Sequence, residues 1–151
     1  MGNRIETSLN EDLLATLQEE HYVTIATVDA ESGAPKVNAI SWIYAKDSKT
    51  VRFAVDQKSK ILNNIKSEPL VTITVIADGS TYSLTGKAFI GEDVMNNVPL
   101  KLRMVEVKIE EVKDVMFYGA RLINEPKFEK TYDEEAALKL DNQVMKALKN
   151  A

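Results

Sequence analysis

The sequence predicts a mainly β fold: an antiparallel barrel with a helix near each end of the chain and one helix between its third and fourth strands. Three observations lead there. Six segments between residues 23 and 109 read as strands, most of them alternating apolar and polar residues with the period of two that a half-buried strand requires. The connections between several of them are short and carry Gly, Pro, Asp or Ser where turns need them. The chain is 151 residues long with 44% hydrophobic and 28% charged residues, which suits one globular domain over residues 1–151. Many short strands in so small a domain favour closure, because closing the sheet removes its edges.

The elements follow in order. Ser8-Leu9-Asn10-Glu11 has the pattern of a capping box, and Leu9, Leu13, Leu14 and Leu17 recur at helical spacing, so a helix is expected over residues 8–20. From Tyr22 the period drops to two, with Val23, Ile25 and Thr27 alternating against Thr24, Ala26 and Val28. Gly33 and Pro35 mark a turn into a second strand over residues 36–45, and Lys46-Asp47-Ser48-Lys49 turns into a third over residues 50–55. These three strands are expected to form a meander. Ile61, Leu62 and Ile65 then share one face of a helix that Pro69 stops. Strands follow over residues 70–77, 81–91 and 102–109, the middle one containing Gly86, with residues 112–118 as a continuation. Thr131-Tyr132-Asp133-Glu134 opens a last helix over residues 132–149, with Leu140, Val144, Ala147 and Leu148 on one side.

Composition excludes much chemistry. With no cysteine there is no disulfide, Cys-ligated zinc, iron–sulfur cluster or thiol nucleophile. One histidine, His21, excludes any site that needs two imidazoles. A net charge of −4 argues against a nucleic-acid binder. No apolar run approaches a membrane span and the N-terminus lacks a signal peptide's apolar core, so a cytoplasmic protein without membrane contact is expected. The charge is uneven: residues 46–66 hold Lys46, Lys49, Arg52, Lys58, Lys60 and Lys66 against Asp47 and Asp56 only. Such a stretch suits a local anion site.

Within it, Asp56-Gln57-Lys58-Ser59-Lys60 sits where a strand becomes a helix. The first amides of a helix lack internal partners and carry the positive end of its dipole, so a phosphate could take backbone N–H groups, the Ser59 hydroxyl and the charges of Lys58 and Lys60. The competing reading is a solvated loop in which Ser59 or Asp56 is an ordinary N-cap. Trp42, the sole tryptophan, reads as a core or interface anchor, and Asn38 on its strand as either a ligand-bonding or a solvent-facing amide. His21 is expected to cap the first helix's C-terminus. Glu110, Glu111 and Asp133 to Glu135 read as solvated charge, so no metal site is expected. Residues 118–130 carry no assigned role.

The order of these features resembles the FMN-binding split-barrel family, the pyridoxamine 5′-phosphate oxidase-like proteins. The residues that carry the resemblance are Gly33-Ala34-Pro35, Val37-Asn38-Ala39-Ile40, Phe53-Ala54-Val55, Ser59-Lys60, Asn64-Ile65, Glu68-Pro69 and Leu84-Thr85-Gly86-Lys87-Ala88, across roughly residues 9–110. The resemblance implies a six-stranded antiparallel split barrel, a homodimer, and FMN held between subunits. It implies phosphate contacts from Lys58, Ser59 and Lys60, a flavin ring along the backbone of Val37, Asn38, Ala39 and Ile40, and a ribityl chain bordered by Ala54, Val55 and Asp56. Ile61 stands where many members carry a second basic residue, Ala39 where proline is common, and Val55 where threonine is common. Deazaflavin or haem are the alternative cofactors the resemblance leaves open. The activity implied is flavin redox chemistry on a small-molecule substrate or NAD(P)H, with no catalytic residue assigned; a carrier or sensor without turnover is the alternative. Pyridoxamine phosphate oxidase itself is longer and ends in a basic substrate-binding segment, where this chain has an amphipathic helix.

Overall fold

The computed structural model describes residues 5–151. The expected domain's first four residues lie outside them. Among the described residues, eight strands and three helices run in the order β1 (Ile5–Glu6), α1 (Glu11–Thr16), β2 (Val23–Val28), β3 (Pro35–Ile40), β4 (Ile43–Asp47), β5 (Thr50–Asp56), α2 (Lys60–Ser67), β6 (Leu70–Ala77), β7 (Ser80–Val94), β8 (Leu102–Asp114) and α3 (Glu134–Asn150). All pairings are antiparallel, and the sheet runs β3-β2-β6-β7-β8-β5-β4, with β1 on β8. This is the expected mainly β split barrel with flanking helices. The strand count is eight instead of six, because the expected strand over residues 36–45 is two strands and β1 is additional.

The break falls at Ser41-Trp42. The Ser41 carbonyl accepts both the His21 N–H (3.1 Å) and the Ile43 N–H (2.9 Å), which turns the chain out of the ladder. As a result β3 pairs with β2 while β4 pairs with β5, and these consecutive strands form opposite edges of the sheet. The expected three-strand meander is therefore absent. Ile40 and Ile43 both face the barrel core while Trp42 and Tyr44 face α3, so the alternation slips by one residue at the break, and a run that is apolar on both sides does not show this in the sequence.

Helix α1 is shorter than expected for a similar reason. The Leu9 N–H bonds the Ser48 carbonyl (2.7 Å), so the cap is Asn10, whose Oδ1 accepts from the Leu13 N–H at 2.8 Å. At the other end the Ala45 N–H takes the Leu17 carbonyl at 2.7 Å, and the helical ladder stops. The leucine stripe still lies where its spacing puts it, with Leu13 and Leu17 fully buried.

The barrel interior is one apolar core. It takes Val23 and Ile25 from β2, Val51, Phe53 and Val55 from β5, Ile73 and Val75 from β6, Leu84 and Ala88 from β7, and Val105 and Val107 from β8. Ile61, Leu62 and Ile65 of α2 join it. Strands β7 and β8 cross most closely at Gly86, where a Cβ would stand 2.1 Å from the Lys108 carbonyl oxygen. Only glycine fits there. The pairing slips by one residue beside it, from Thr85↔Glu111 to Gly86↔Ile109, which leaves Glu110 as a bulge in β8.

A smaller cluster lies outside the barrel, where Val144 and Leu148 of α3 bury Ala54 and Leu102 against Trp42, Tyr44, Met104 and Leu140. The cap of α3 is Asp133, accepting from Ala136 N–H at 2.8 Å, in place of the expected box beginning at Thr131. Among the described residues no helix is long and apolar enough to cross a membrane.

Candidate functional site

The expected cofactor residues fall on three elements. Val37, Asn38, Ala39 and Ile40 lie on β3; Ala54, Val55 and Asp56 end β5; and Lys58, Ser59 and Lys60 form the turn into α2. Helix α2 brings two of these groups to one end of the barrel. It starts where β5 stops, and its buried Asn64 ties it to the other side: Nδ2 donates to Thr27 Oγ1 (3.0 Å) and Oδ1 accepts from the Ala30 N–H (3.0 Å) at the turn into β3. The helix that the lysine turn opens thus reaches the connection into β3. An asparagine among Ile61, Leu62 and Ile65 is the polar exception on an apolar helical face, and that was the available sequence signal.

Strand β3 is exposed along its length, with Ile40 alone half-buried. Its register places Asn38 and Ile40 on the face of Ile25 and Val23, and Val37 and Ala39 on the opposite face with Ala26 and Thr24. A ring lying along β3 would therefore meet side chains from only one of these pairs. As an edge strand, β3 also presents unpaired main-chain N–H and C=O groups on its open side, which suit a ring with alternating donors and acceptors.

The end of β5 is different. The side chains of Ala54 and Val55 are buried, Ala54 under α3 and Val55 in the barrel core. They have no side chain to offer a ligand, and only Asp56 is exposed.

At the lysine turn both readings of the sequence apply in part. Ser59 is the N-cap of α2, its Oγ accepting from the Ile61 N–H (3.2 Å), and Asp56 Oδ1 accepts from the Lys58 N–H (2.8 Å). The Ser59 N–H bonds the Asp56 carbonyl and the Leu62 N–H the Ser59 carbonyl. Four amides are thus engaged inside the turn, contrary to the expectation that they would receive a phosphate. The Ser59 hydroxyl proton and the exposed ammonium groups of Lys58 and Lys60 remain as donors, with the Asp56 carboxylate as a local repulsive charge.

The wider positive stretch does not converge. Lys46 and Lys49 flank the β4–β5 turn, and Lys58 and Lys60 follow the far end of β5, roughly 20 Å away at about 3.3 Å per residue. Arg52, between them, is buried. Its Nε donates to Glu106 Oε1 (3.0 Å) and its guanidinium to the Leu148 carbonyl (2.9 Å), so it holds the last turn of α3. Burial pushes the Glu106 carboxyl up, but the bonds from Arg52 and Lys108 outweigh this and hold it below its ordinary value.

Other expectations resolve around Ser41-Trp42. Trp42 Nε1 donates to Asp141 Oδ1 of α3 at 2.9 Å, so the tryptophan is an anchor. Lys130 Nζ bonds Asp141 (3.0 Å) and Glu20 (2.8 Å) and lies 5.7 Å from the Trp42 ring centroid. Desolvation pulls the Lys130 ammonium down, but its two carboxylate partners outweigh this and raise it. His21 caps no helix: α1 ends earlier, and His21 Nε2 sits 3.0 Å from the Ile76 carbonyl of β6. Glu110 is exposed in its bulge, and Asp133 to Glu135 open α3.

No curated protein matches the chain. Solved structures do. A candidate pyridoxamine 5′-phosphate oxidase of Lactobacillus delbrueckii is similar with a TM-score of 0.61 at 22% identity, over 71% of this chain and 94% of that one. An F420 reductase gives 0.54 at 22% identity, over 66% and 94%. HupZ of Group A Streptococcus gives 0.61 at 15% identity, over 75% and 98%. These similarities agree on the barrel. The model of the family described as pyridoxamine 5′-phosphate oxidase matches residues 9–116, from α1 to just past the end of β8. That span is well over half of the sequence and holds every element of the site above, and the chain belongs to this family.

Proposed function

We propose that the protein is an FMN-binding flavoprotein that works as a homodimer and passes electrons between its flavin and a small-molecule substrate or NAD(P)H. The observation that carries this reading is the end of the barrel where α2 bridges the split. Two exposed lysines and a hydroxyl open α2 there, and the helix reaches the connection into β3, an edge strand with open main-chain groups. The donor set fits a phosphate monoester: Lys58 and Lys60 supply charge, and Ser59 Oγ–H donates while its lone pair caps α2. Asn64 fixes the turn against the β2–β3 connection and so sets its distance from β3. The backbone of Val37 to Ile40 positions the ring, and bound flavin supplies the electron chemistry.

The second subunit belongs to the same reading. A ring on β3 would have one side in water, and Val37 is 64% exposed there. A second copy packed on this side would exclude that water. A deazaflavin or haem is the second reading, favoured by the engagement of four of the turn's amides, which leaves phosphate recognition mainly to the side chains of Lys58, Ser59 and Lys60.

An absorption spectrum of the purified protein before and after adding FMN tests the proposal. Flavin bands that persist through gel filtration, with quenched flavin fluorescence, are expected. A colourless protein that refuses FMN contradicts it. Bleaching of the bound flavin by NADH or NADPH without oxygen is expected for an oxidoreductase, and failure with both donors points to binding without turnover.

A further inference from the structure

We infer that the cavity between the β7–β8 connection and α3 is a second small-molecule site, shaped for a neutral, planar heteroaromatic ring with a carboxamide-type edge. The cavity has a volume of about 550 Å³, within the range of ligand pockets. It lies outside the barrel and shares no lining residue with the lysine turn or β3. The inference does not rest on the flavin reading.

Both walls are held in place by bonds that need no ligand. The Arg103 guanidinium donates to the carbonyls of Gly91 and Glu92, fixing the end of β7, and the Met95 N–H bonds the Leu102 carbonyl at 2.8 Å. The opposite wall is the last two turns of α3, pinned by Arg52 to the Leu148 carbonyl and by the burial of Val144 and Leu148. A slot with two fixed walls loses little entropy when a rigid ring enters.

The lining chemistry selects the ligand. Ala147, Met95 and Met104 form the apolar part of the lining, and methionine thioethers pack favourably on aromatic rings. Carboxamides of Asn96, Gln143 and Asn150 offer donors and acceptors together, the pattern that matches an amide edge. Lys146 and Asp93 supply one charge of each sign, so the cavity has no net preference for an anion. That separates it from the cationic turn at Lys58 and Lys60. The two sites are joined through the chain, since the Gln57 N–H bonds the Lys101 carbonyl at 3.0 Å and Asp56 pairs with Leu102.

Nicotinamide is the simplest probe of this class, and nicotinate is its anionic counterpart. With methionine methyl groups labelled for NMR, nicotinamide should shift the Met95 and Met104 resonances saturably, with a midpoint on the order of 1 mM for so small a ligand. Met116 and Met145, which do not line the cavity, should stay still. Nicotinate should bind at least about fivefold more weakly. Ala147→Leu, which adds bulk to the α3 wall, should weaken the shifts strongly, and Gln143→Ala should weaken them while the fold stays intact by thermal melting. No shift at tens of millimolar, equal shifts from both probes, equal movement of all four methyl groups, or full binding to Ala147→Leu would overturn the assignment.

Discussion

The sheet has two outer faces, and only one of them is roofed. Over β4, β5 and the start of β8, α3 buries Ala54 and Leu102 and takes hydrogen bonds from Trp42 and Arg52. Over β3, β2, β6 and β7, the central outward positions are Val37, Ala39, Thr24, Ala26, Thr72, Thr74, Ser83 and Thr85, with Val28, Leu70, Ile76 and Phe89 nearer the strand ends, and none of them is buried. The roofed face carries a tryptophan, a tyrosine, methionines and a buried arginine, and the centre of the bare face carries short side chains. Large side chains need a cover to fill the space between them. Short ones leave the sheet flat, so that another surface can approach its main chain. The roofed face is therefore a matter of this chain's stability, and the bare face is where the proposed second copy would pack.

The sharpest way to break this contrast is to place the same charge on each face. Val144→Asp puts a carboxylate beneath α3 among Ala54, Leu102 and Leu148, and should cost several kcal/mol and lower the melting temperature markedly. Thr74→Asp on the bare face should leave the monomer's stability within about 0.5 kcal/mol, yet shift the protein from dimer to monomer in light scattering. Equal melting losses from both substitutions, or a dimer that ignores Thr74→Asp, would remove the distinction.

Arg52 comes next. Arg52→Met leaves Glu106 and the Leu148 carbonyl without their donor, and should cost about 3 kcal/mol in denaturant unfolding. Because the folded-state Glu106 carboxyl sits below its ordinary value near 4.5, its contribution is complete above that value and is lost as pH falls through the folded one. Acid melts of the wild type should therefore steepen below about pH 4.5, and Arg52→Met should flatten that part of the curve.

The Lys130 clasp should have a smaller effect. It is partly solvated, so Lys130→Met should cost about 1 kcal/mol, less at high salt. Its ammonium is raised above the ordinary value near 10.5, so the stabilisation is full below that pH and lost as pH rises through the raised value. Hydrogen exchange in α3 should quicken in that alkaline window for the wild type and show less change for Lys130→Met.

Much of this was legible in the sequence, and what was not has physical causes. The leucine stripe of α1, the apolar face of α2 and the Val144–Leu148 side of α3 follow from spacing, because burial rewards one face of each helix whatever it packs on. Helix ends were less legible, since the Leu9 N–H and the Leu17 carbonyl bond Ser48 and Ala45, residues distant in sequence. The crossing at Ser41-Trp42 was hidden because Ile40, Trp42, Ile43 and Tyr44 are all apolar, so nothing in the sequence marks the one-residue slip in facing there. At the site, the lysine turn was placed correctly between β5 and α2. The role of Arg52 depends on α3, almost a hundred residues later, and composition counted it as one more surface cation.

The central claim, that Lys58, Ser59 and Lys60 hold the phosphate of FMN, is tested most directly by comparing FMN with riboflavin, which lacks only that phosphate. A charge-assisted hydrogen bond contributes about 1.5–3 kcal/mol, or roughly 10- to 150-fold in affinity. Lys60 is exposed and the turn's amides are engaged, which places the effect near the lower end. Flavin-fluorescence titrations should show Lys60→Ala weakening FMN about tenfold while riboflavin affinity stays unchanged, with added salt eroding FMN binding alone. Equal losses for the two ligands would contradict the phosphate assignment.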